Sequence, residues 1–292
     1  MAQTNIYTNT EKTLPLSENE PLIIVTGNEK GGAGKSTLCM HLCIALLRTG
    51  LSVGVIDLDI RQGTLTRYLK NRAHWARSTG SKLPLPIIAP VRSSQSRDLN
   101  RAEDEEAQAF QDAINHLKTS CRIILIDAPG GLTFYSKLAH RAADILITPL
   151  NDSFIDFDLL AEVDPQTLDV IQPSFYSEMV WQYRKERAGQ NRRPLDWIVL
   201  RNRLSPLEAR NTRNVGKALT SLSERIGFRL ASGLSERVIY RELFPAGLTL
   251  LDVTEKNSRI LFSMSHVAAR QELRGLLTML NLPELSGKDP AF

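Results

Sequence analysis

The sequence GNEKGGAGKST at residues 27–37 follows the apolar run LIIV at 22–25 and precedes a helix-like stretch from Thr37 to Arg48. A strand, a glycine-rich turn and a helix in this order predict a phosphate-binding loop. The consecutive backbone N–H groups of such a loop, together with the N-terminus of the helix, form a concave site for phosphate oxygens. This segment therefore predicts an α/β domain that binds a nucleotide.

The residues of the loop are expected to hold phosphate and a metal ion in different ways. Glycines allow the backbone to adopt unusual dihedral angles and to approach the anion closely. We expect the Lys35 ammonium to contact the β- and γ-phosphates and the Ser36 hydroxyl to complete a Mg²⁺ shell. The predicted nucleotide-binding residues of the loop are Gly31, Gly32, Ala33, Gly34, Lys35, Ser36 and Thr37.

The loop departs from the common pattern G-x-x-x-x-G-K-[ST] at its first position. Glu29 stands where that pattern has glycine, and a second lysine, Lys30, precedes Gly31. The segment therefore reads K-G-G-x-G-K-[ST]-T. A glycine- and lysine-rich turn without function is the alternative, but the flanking strand and helix argue against it.

The composition is that of a globular protein with a full hydrophobic core, since 42% of the 292 residues are hydrophobic and 23% are charged. No stretch approaches 18 consecutive apolar residues, so no transmembrane helix is predicted. The polar N-terminus lacks the apolar core of a secretory signal. The three cysteines fit a reducing compartment better than a disulfide framework. We therefore expect a cytoplasmic protein.

The net charge of +4 is distributed unevenly along the chain. Six basic residues and no acidic residue lie between Arg61 and Lys82. Ten basic residues lie between Arg184 and Lys217, against three acidic ones. Such asymmetry permits binding to a polyanion such as DNA, although a solvated basic surface explains the same pattern.

Short aliphatic runs alternate with helix-like stretches, which predicts an α/β fold with a doubly wound, mostly parallel sheet flanked by helices. The predicted strands are Leu22–Thr26, Val53–Asp57, Ile123–Asp127, Ile145–Thr148 and Trp197–Leu200. Apolar residues at helical spacing predict further helices around Phe110–Leu117, Val215–Ile226 and Val267–Leu280.

The predicted domain organisation is a single phosphate-loop domain at residues 21–283. Residues 1–20 are expected to form a flexible N-terminal extension, and residues 284–292 a flexible C-terminal tail. The stretch from Pro165 to Pro194 is rich in Tyr, Trp and Arg without a clear strand period. It is expected to be an insertion on the domain rather than a second domain.

Two carboxylates follow the second predicted strand, in the sequence VIDLDIRQ at 55–62. The carboxyl end of a parallel strand is where α/β sheets bind their ligands. Asp59 is the candidate for positioning a water molecule that attacks the γ-phosphate of the nucleotide. Asp57 is the candidate for supporting the Mg²⁺ shell, or the loop from behind. The alternative is that both carboxylates only cap a turn.

The run IILIDAPGG at 123–131 ends an apolar strand in a carboxylate. This pattern is typical of a strand whose aspartate holds Mg²⁺ directly or through water, so Asp127 is a metal candidate beside Ser36 and Asp57. Gly130 and Gly131 predict a hinge-like loop that would sense the γ-phosphate. A buried strand that merely ends in a turn aspartate is the alternative.

Two asparagines follow the fourth and fifth predicted strands. Asn151 begins the sequence NDSFIDFD, and Asn202 is followed by Arg203 in VLRNRL at 199–204. A side-chain amide at the end of a strand can pair with an adenine edge, which makes Asn202 a candidate contact for the base. Asn151 and Arg203 are predicted to join it in binding the nucleotide. A plain turn asparagine is the alternative.

Together these segments resemble the MipZ family of ParA/MinD-type ATPases over nearly everything from residue 22 to residue 280. The phosphate loop identifies only the superfamily. NDSFIDFD at 151–158 and the YRELFP part of RVIYRELFPAGLTLLD at 237–252 point to MipZ rather than to ParA or MinD. The other segments that carry the resemblance are VIDLDIRQ at 55–62, IDAPGG at 126–131, VLRNRL at 199–204 and AARQEL at 268–273.

The resemblance implies an ATP-driven dimerisation switch rather than a metabolic enzyme. ATP-bound subunits would dimerise face to face, with Lys30 of each contacting the phosphates of the other. The implied catalytic residues are Lys30, Lys35 and Asp59, with ATP and Mg²⁺ as cofactors. The dimer would bind chromosomal DNA non-specifically and inhibit FtsZ assembly. ParB would recruit the monomer, and slow ATP hydrolysis would reset the cycle.

Contact with DNA would use the two basic runs of the chain. Dimerisation would double the number of positive charges that face one duplex, and the affinity would fall steeply with salt. The candidate DNA-binding residues are Arg192, Arg193, Arg210 and Arg213.

Other members of the superfamily give alternative interpretations. A ParA-type partition ATPase shares the chemistry and the DNA, and would differ in segregating cargo instead of inhibiting FtsZ. MinD would need a basic amphipathic membrane helix where this sequence has SGKDPAF at 286–292. A nitrogenase-reductase-like protein would need cysteines beyond Cys121, and a bacterial tyrosine kinase would need tyrosines beyond Tyr240; the sequence has neither. A binding module without hydrolysis is possible if Asp59 is out of register.

Overall fold

The computed structural model describes residues 20–164, 170–204, 209–255, 258 and 263–287, and within them it leaves out the side chains of 154, 155 and 209–214. The predicted N-terminal extension, apart from Glu20, lies outside the described residues. Of the predicted C-terminal tail, residues 284–287 are described. Pro283–Leu285 form a 3₁₀ turn, and Glu284 forms an ion pair with Arg122. Packed structure thus continues beyond residue 283.

The chain contains a parallel sheet and a small hairpin. The strands are β1 (Leu22–Thr26), β2 (Val53–Asp57), β3 (Ile87–Ile88), β4 (Ile123–Asp127), β5 (Ile145–Asn151), β6 (Ala161–Val163), β7 (Val170–Pro173), β8 (Asp196–Asn202) and β9 (Arg229–Ala231). Seven of them form one sheet in the order β3-β2-β4-β1-β5-β8-β9, and every neighbouring pair in it is parallel. Strands β6 and β7 pair with each other in an antiparallel arrangement.

Helices cover both faces of the sheet. They are α1 (Lys35–Arg48), α2 (Thr64–Thr79), α3 (Leu99–Lys118), α4 (Phe134–Ala142), α5 (Phe154–Phe157), α6 (Phe175–Gly189), α7 (Ala209–Ile226), α8 (Ile239–Leu243) and α9 (Met264–Met279). Helices α1, α2 and α9 pack on one face, and α3, α4, α6 and α7 pack on the other. The predicted doubly wound α/β fold is confirmed. Among the described residues, no helix is long and apolar enough to cross a membrane.

Burial explains which strands the sequence predicts well. β2 and β4 are buried at all five positions and β1 at four of five, as expected for strands covered on both faces. Their bounds agree with the prediction, whereas β5 and β8 extend beyond it. The two edge strands, β3 and β9, have only two and three residues and were not among the predicted strands.

Helix α6 corrects the interpretation of residues 165–194. It lies in the connection between β5 and β8, and it buries Tyr176, Val180 and Tyr183. The prediction of an insertion on the domain is therefore wrong for this helix, because it belongs to the layer that covers the sheet. Residues 165–169 lie outside the described part of the chain.

A buried ion-pair cluster joins α1, α2 and the segment that follows α8. Asp252 accepts hydrogen bonds from the Arg72 guanidinium at 2.6 and 3.0 Å and from Arg48 at 2.6 Å. The backbone N–H and the hydroxyl of Thr249 also donate to Asp252, each at 2.7 Å. Arg72 is fully buried. The prediction that the basic run at 61–82 faces DNA is therefore wrong for this residue.

The cluster makes Asp252 a strong acid in the folded protein. Burial acts to raise the pKa of Asp252, but hydrogen bonds and positive charge from Arg72 and Arg48 outweigh it and lower this pKa to about 2. An aspartate in an unfolded chain has a pKa of about 4. The stability that ionised Asp252 provides is therefore fully present above about pH 4 and is lost as the pH falls toward 2.

We predict that Asp252→Asn lowers the free energy of unfolding at pH 7 by about 3–5 kcal/mol, because it leaves the buried charge of Arg72 without its counter-ion. Urea denaturation measures this change. The control is Glu255→Gln, which removes the partly exposed second partner of Arg48 and should cost less than about 1 kcal/mol. Equal losses in the two variants would contradict a structural role for the buried pair.

Candidate nucleotide-binding site

The phosphate loop lies at the carboxyl edge of the sheet, between β1 and α1. Gly34 caps α1 with a φ of 87°, in the left-handed region that favours glycine. The first N–H groups of an α-helix have no partner within the helix and carry partial positive charge. The start of α1 is therefore suited to binding an anion, and its binding of phosphate stays a prediction.

An open cleft of about 820 Å³ lies over this loop, a size typical of ligand pockets. It is bordered by the phosphate loop, by the turn after β2 and by the loop after β4. The predicted site residues that line it are Gly31, Gly32, Gly34, Lys35, Ser36, Thr37, Asp59 and Arg203. Three segments distant in the sequence thus meet around one cavity. Ala33 is buried beneath the loop instead of lining the cleft.

The side chain of Lys35 is almost buried at the base of the loop. Its Nζ donates a hydrogen bond to the Lys30 carbonyl at 3.0 Å. Burial lowers the pKa of Lys35, while the charges of Asp127 and Asp59 act in the opposite direction. A cation held in this way provides a positive charge at the predicted position of the phosphates.

The second lysine of the loop, Lys30, is paired within its own subunit. Its Nζ lies 3.2 Å from Asp156 Oδ1, and its side chain is 36% exposed. The other oxygen of Asp156 accepts the Asn151 backbone N–H at 3.2 Å. The backbone at Lys30 is fixed as well, because its N–H donates to Asn28 Oδ1 at 2.7 Å. Asp156 belongs to the sequence NDSFIDFD, and this pairing was not predicted.

Asp127 provides a carboxylate at the end of β4. It is fully buried; its Oδ1 accepts the Thr26 hydroxyl at 3.3 Å, and its Oδ2 has no hydrogen-bond partner among the described residues. Burial and the charge of Asp57 raise the pKa of Asp127 to about 7, while the neighbouring Ser36 hydroxyl and the charge of Lys35 act to lower it. An unpartnered buried carboxylate oxygen beside a hydroxyl fits a divalent cation. Asp127 and Ser36 would hold Mg²⁺, which neutralises phosphate charge when bound.

Asp57, the neighbour of Asp127 in the sheet, has different contacts. Its Oδ2 accepts both the N–H and the hydroxyl of Thr66 at 2.8 Å, and its Oδ1 accepts the Asp59 N–H at 3.2 Å. Asp57 therefore fastens the turn after β2 to the start of α2. These contacts hold the turn after β2 and not the phosphate loop, so support of the phosphate loop by Asp57 stays a prediction. Direct coordination of a metal by Asp57 stays a prediction.

Asp59 lies in this turn and lines the cleft. Its Oδ1 accepts the Gln62 N–H at 3.2 Å, and its carbonyl accepts the Gly63 N–H at 2.6 Å. These bonds hold the carboxylate at the rim of the cavity, close enough to Lys35 for their charges to interact. Its role in positioning a water molecule stays a prediction.

The loop after β4 contacts the phosphate loop directly. The Gly131 N–H donates to the Glu29 carbonyl at 2.6 Å, and Gly131 has a φ of 82° that favours glycine. Thr133 then caps α4 by accepting the Ser136 N–H at 3.2 Å. A movement of this loop would therefore be passed to both the phosphate loop and α4.

Asn202 contacts the protein's own phosphate loop. Its Nδ2 donates to the Ala33 carbonyl at 2.7 Å, and a Cβ on Gly34 would lie only 2.5 Å from this nitrogen. A side chain at position 34 would therefore displace the Asn202 amide, in addition to the strain that its φ imposes. The predicted pairing of Asn202 with adenine stays a prediction, since its amide N–H is used to support the loop.

A smaller cleft of about 100 Å³ lies beside the start of α1. Arg203, which has a φ of 55°, lines both this cleft and the larger one. The smaller cleft also has Thr37, His41 and Tyr240 among its lining residues. Asn151 lines neither of these two clefts; its Oδ1 is buried and has no partner among the described residues. Arg203 is thus better placed than Asn151 to contact a nucleotide.

Of the predicted DNA-binding residues, two lie away from the cleft, and the side chains of the other two are outside the described part of the chain. Arg192 and Arg193 precede β8 and border a cavity at the amino edge of the parallel sheet, opposite the phosphate loop. The side chains of Arg210 and Arg213 are outside the described part of the chain. Arg187, in the same basic run, is buried in an ion pair with Asp144.

Several residues that line the larger cleft were not predicted, among them Ser93, Glu106 and Tyr135. They come from the loop before α3, from α3 and from α4. Glu106 belongs to the acidic run at 103–106, in which Glu103 is partly buried as well. The sequence carries no signal that would have identified these three residues.

Comparison with known proteins places the chain among ATPases. A family model described as ATPase MipZ matches residues 22–284. The septum site-determining protein MinD of Synechocystis is 29% identical over 144 residues, which cover 43% of this chain and 52% of that protein. An iron-sulfur cluster carrier protein of Bacillus subtilis is 46% identical over 50 residues, 17% of this chain and 14% of that protein. The chain thus spans about half, or less, of the length of these relatives.

Solved structures share the architecture. Apo McdA of Cyanothece has a TM-score of 0.58 at 18% identity, covering 86% of this chain and 99% of that one. The cell division ATPase MinD of Pyrococcus furiosus has a TM-score of 0.52 at 16% identity, covering 88% and 99%. At such identities the likeness establishes the fold alone.

We predict that Lys35→Ala loses measurable ATP binding, because charged hydrogen bonds to two phosphates contribute about 3 kcal/mol or more, over a hundredfold in affinity. Titration calorimetry with ATP measures this. The control is Lys70→Ala, which removes an exposed lysine of α2 and should leave the affinity unchanged. Tight ATP binding by Lys35→Ala would refute the assignment of the phosphate loop.

Proposed function

Because the chain belongs to the MipZ family of ATPases, we propose that it is an ATP-dependent dimerisation switch that acts in positioning the division site. The observation that carries the proposal is the single cleft that brings Lys35, Ser36 and Asp59 together, with Asp127 and Lys30 beside it. The name of the septum site-determining relatives supports the role in division.

In the proposed reaction, Mg²⁺-dependent hydrolysis of ATP depends on positioning and on neutralising charge. The N–H groups of the phosphate loop and the Lys35 ammonium bind the phosphates. Asp127 and Ser36 hold the metal ion, and Asp57 fixes the turn that carries Asp59. Asp59 orients the water that attacks the γ-phosphate. The ATP complex of McdA and the Mg-ADP complex of Pyrococcus horikoshii MinD are consistent with this choice of cofactors.

In the proposed dimer, Lys30 exchanges its partner. In the single subunit its ammonium is paired with Asp156 at 3.2 Å and is one-third exposed. Docking of a second ATP-bound subunit would offer Lys30 the phosphates of the other nucleotide, which carry more negative charge than one carboxylate. Hydrolysis would lower this charge and allow Lys30 to return to Asp156.

The proposed partners are a second copy of the chain, non-specific double-stranded DNA, ParB and FtsZ. The dimer would associate with the nucleoid in the cytoplasm through exposed basic residues such as Arg192. A ParA-type partition ATPase is the alternative, and it would use the same cleft. An FtsZ polymerisation assay separates the two, because only the division regulator should inhibit assembly.

The first experiment is the solution mass of Asp59→Ala by light scattering, with ATP and with ADP. Loss of the carboxylate that orients water should block hydrolysis without weakening ATP binding, so we expect a stable dimer with ATP and a monomer with ADP. Phosphate release should fall below one-tenth of the wild-type rate. A monomer with both nucleotides would refute the dimerisation switch, and normal turnover would remove Asp59 from the mechanism.

We predict that Lys30→Ala binds ATP yet remains monomeric by light scattering, because it lacks the ammonium that would reach the other nucleotide. Asp156→Asn is the matched control, since it breaks the same ion pair but keeps the lysine. This control should still dimerise with ATP. If Lys30→Ala forms ATP-dependent dimers, the proposed role of Lys30 across the interface is contradicted.

A further inference from the structure

A buried polar network lies beneath the phosphate loop, outside the nucleotide cleft. At its centre is the hydroxyl of Tyr176 on α6, a residue that is 1% exposed. This hydroxyl lies 3.1 Å from the Gly27 carbonyl, 3.0 Å from His140 Nε2 and 3.0 Å from the Thr148 hydroxyl. Gly27 is the first residue of the phosphate loop, and His140 lies on α4. One hydroxyl therefore contacts the phosphate loop, α4 and β5 together.

The contacts of His140 fix the position of its proton. Its Nδ1 lies 2.7 Å from the Ser136 carbonyl, which can only accept a hydrogen bond. Burial lowers the pKa of His140 to about 4, so the ring is neutral at pH 7 and carries one N–H. That N–H is at Nδ1. Nε2 can then only accept, and the group it faces is the Tyr176 hydroxyl.

The contacts of Thr148 fix a second proton. The indole N–H of Trp197 can only donate, and it lies 3.0 Å from the Thr148 hydroxyl oxygen. The Thr148 hydroxyl accepts this bond, and the Tyr176 oxygen is the one acceptor that the described contacts offer to the proton of Thr148. Among the described residues of the network, the single proton of Tyr176 thus serves two acceptors, the Gly27 carbonyl and His140 Nε2.

This arrangement has two competing states. A buried acceptor that is left unpaired costs about 1–3 kcal/mol, and one of the two acceptors is unpaired whichever way the hydroxyl turns. The balance is sensitive to the position of α4, because the His140 ring packs directly on the loop: a Cβ on Gly27 would lie 2.5 Å from Nε2. Helix α4 begins directly after the loop that Gly131 fastens to Glu29.

We propose that Tyr176 is a positioning residue that couples the phosphate loop to α4 by sharing its hydroxyl proton between the Gly27 carbonyl and His140. A shift of the loop after β4 moves α4 and His140, and Tyr176 then holds or releases the first residue of the phosphate loop. No bond is made or broken in this step other than hydrogen bonds. The inference rests on the proposed ATPase function and assigns it a coupling group remote from the nucleotide.

The test compares Tyr176→Phe with Tyr183→Phe, which removes a hydroxyl from the same helix at a ring that lies under Arg141. We measure kcat and KM for ATP hydrolysis, the affinity for ADP and the melting temperature of each variant. For Tyr176→Phe we expect kcat to fall about tenfold while the affinity for ADP stays within about threefold, since the loop still binds phosphate but no longer follows α4. Tyr183→Phe should match the wild type.

Two results would overturn the inference: a Tyr176→Phe kcat equal to that of Tyr183→Phe, or a parallel loss of kcat and ADP affinity, which indicates a merely structural role. Wild-type protein without ATP hydrolysis would instead refute the proposed function, so the two failures are distinguishable.

A second variant keeps the test decisive if Tyr176→Phe melts below the assay temperature. His140→Gln places an amide, which can donate as well as accept, where the ring only accepts, and so it should give a similar loss of kcat with ADP affinity retained. Where both variants fold, the double variant should lose no more than either single one. Effects of the two changes that multiply would show that the residues act independently and would contradict the coupling.

Discussion

The parallel register of β1, β4 and β2 is the constraint on which the candidate site depends. Thr26, Asp127 and Asp57 are paired across these three strands, so their side chains end at one edge of the sheet. The phosphate loop leaves the sheet at the same edge because it continues β1. Two buried carboxylates and the phosphate loop therefore meet at one edge of the sheet, where the charge of Lys35 acts on Asp127.

Part of the positive charge in this chain lies inside the fold. Arg72 neutralises Asp252 and Arg187 neutralises Asp144, both at buried positions. Composition alone suggested that the two basic runs face a polyanion, but burial divides them into structural arginines and exposed ones such as Arg192. Electrostatic arguments for a nucleic-acid surface in this protein should therefore count only the exposed residues.

The sequence predicts correctly those elements that a local pattern of residues determines. The strands β1, β2 and β4 are unbroken or nearly unbroken aliphatic runs that end at a polar residue, and their bounds are correct. The pairing of Lys30 with Asp156 spans 126 positions, and the support of Ala33 by Asn202 spans 169; no local pattern encodes either contact. Helix α6 was misread because its buried face carries Tyr176 and Tyr183 instead of a plain aliphatic stripe. The remaining site roles, such as that of Asp59, are contacts with a bound nucleotide, and a local pattern of residues does not encode the geometry of such contacts.

The ion pair between Lys30 and Asp156 also bears on how the proposed switch would respond to the amount of protein. In the proposed dimer one ion pair would replace another, so Lys30 would contribute only the difference between two electrostatic energies, which favours a weak and reversible complex. For such a complex, mass action makes the dimer population rise with the square of the monomer concentration. A shallow gradient of monomer inside a cell would then become a steeper gradient of the active form.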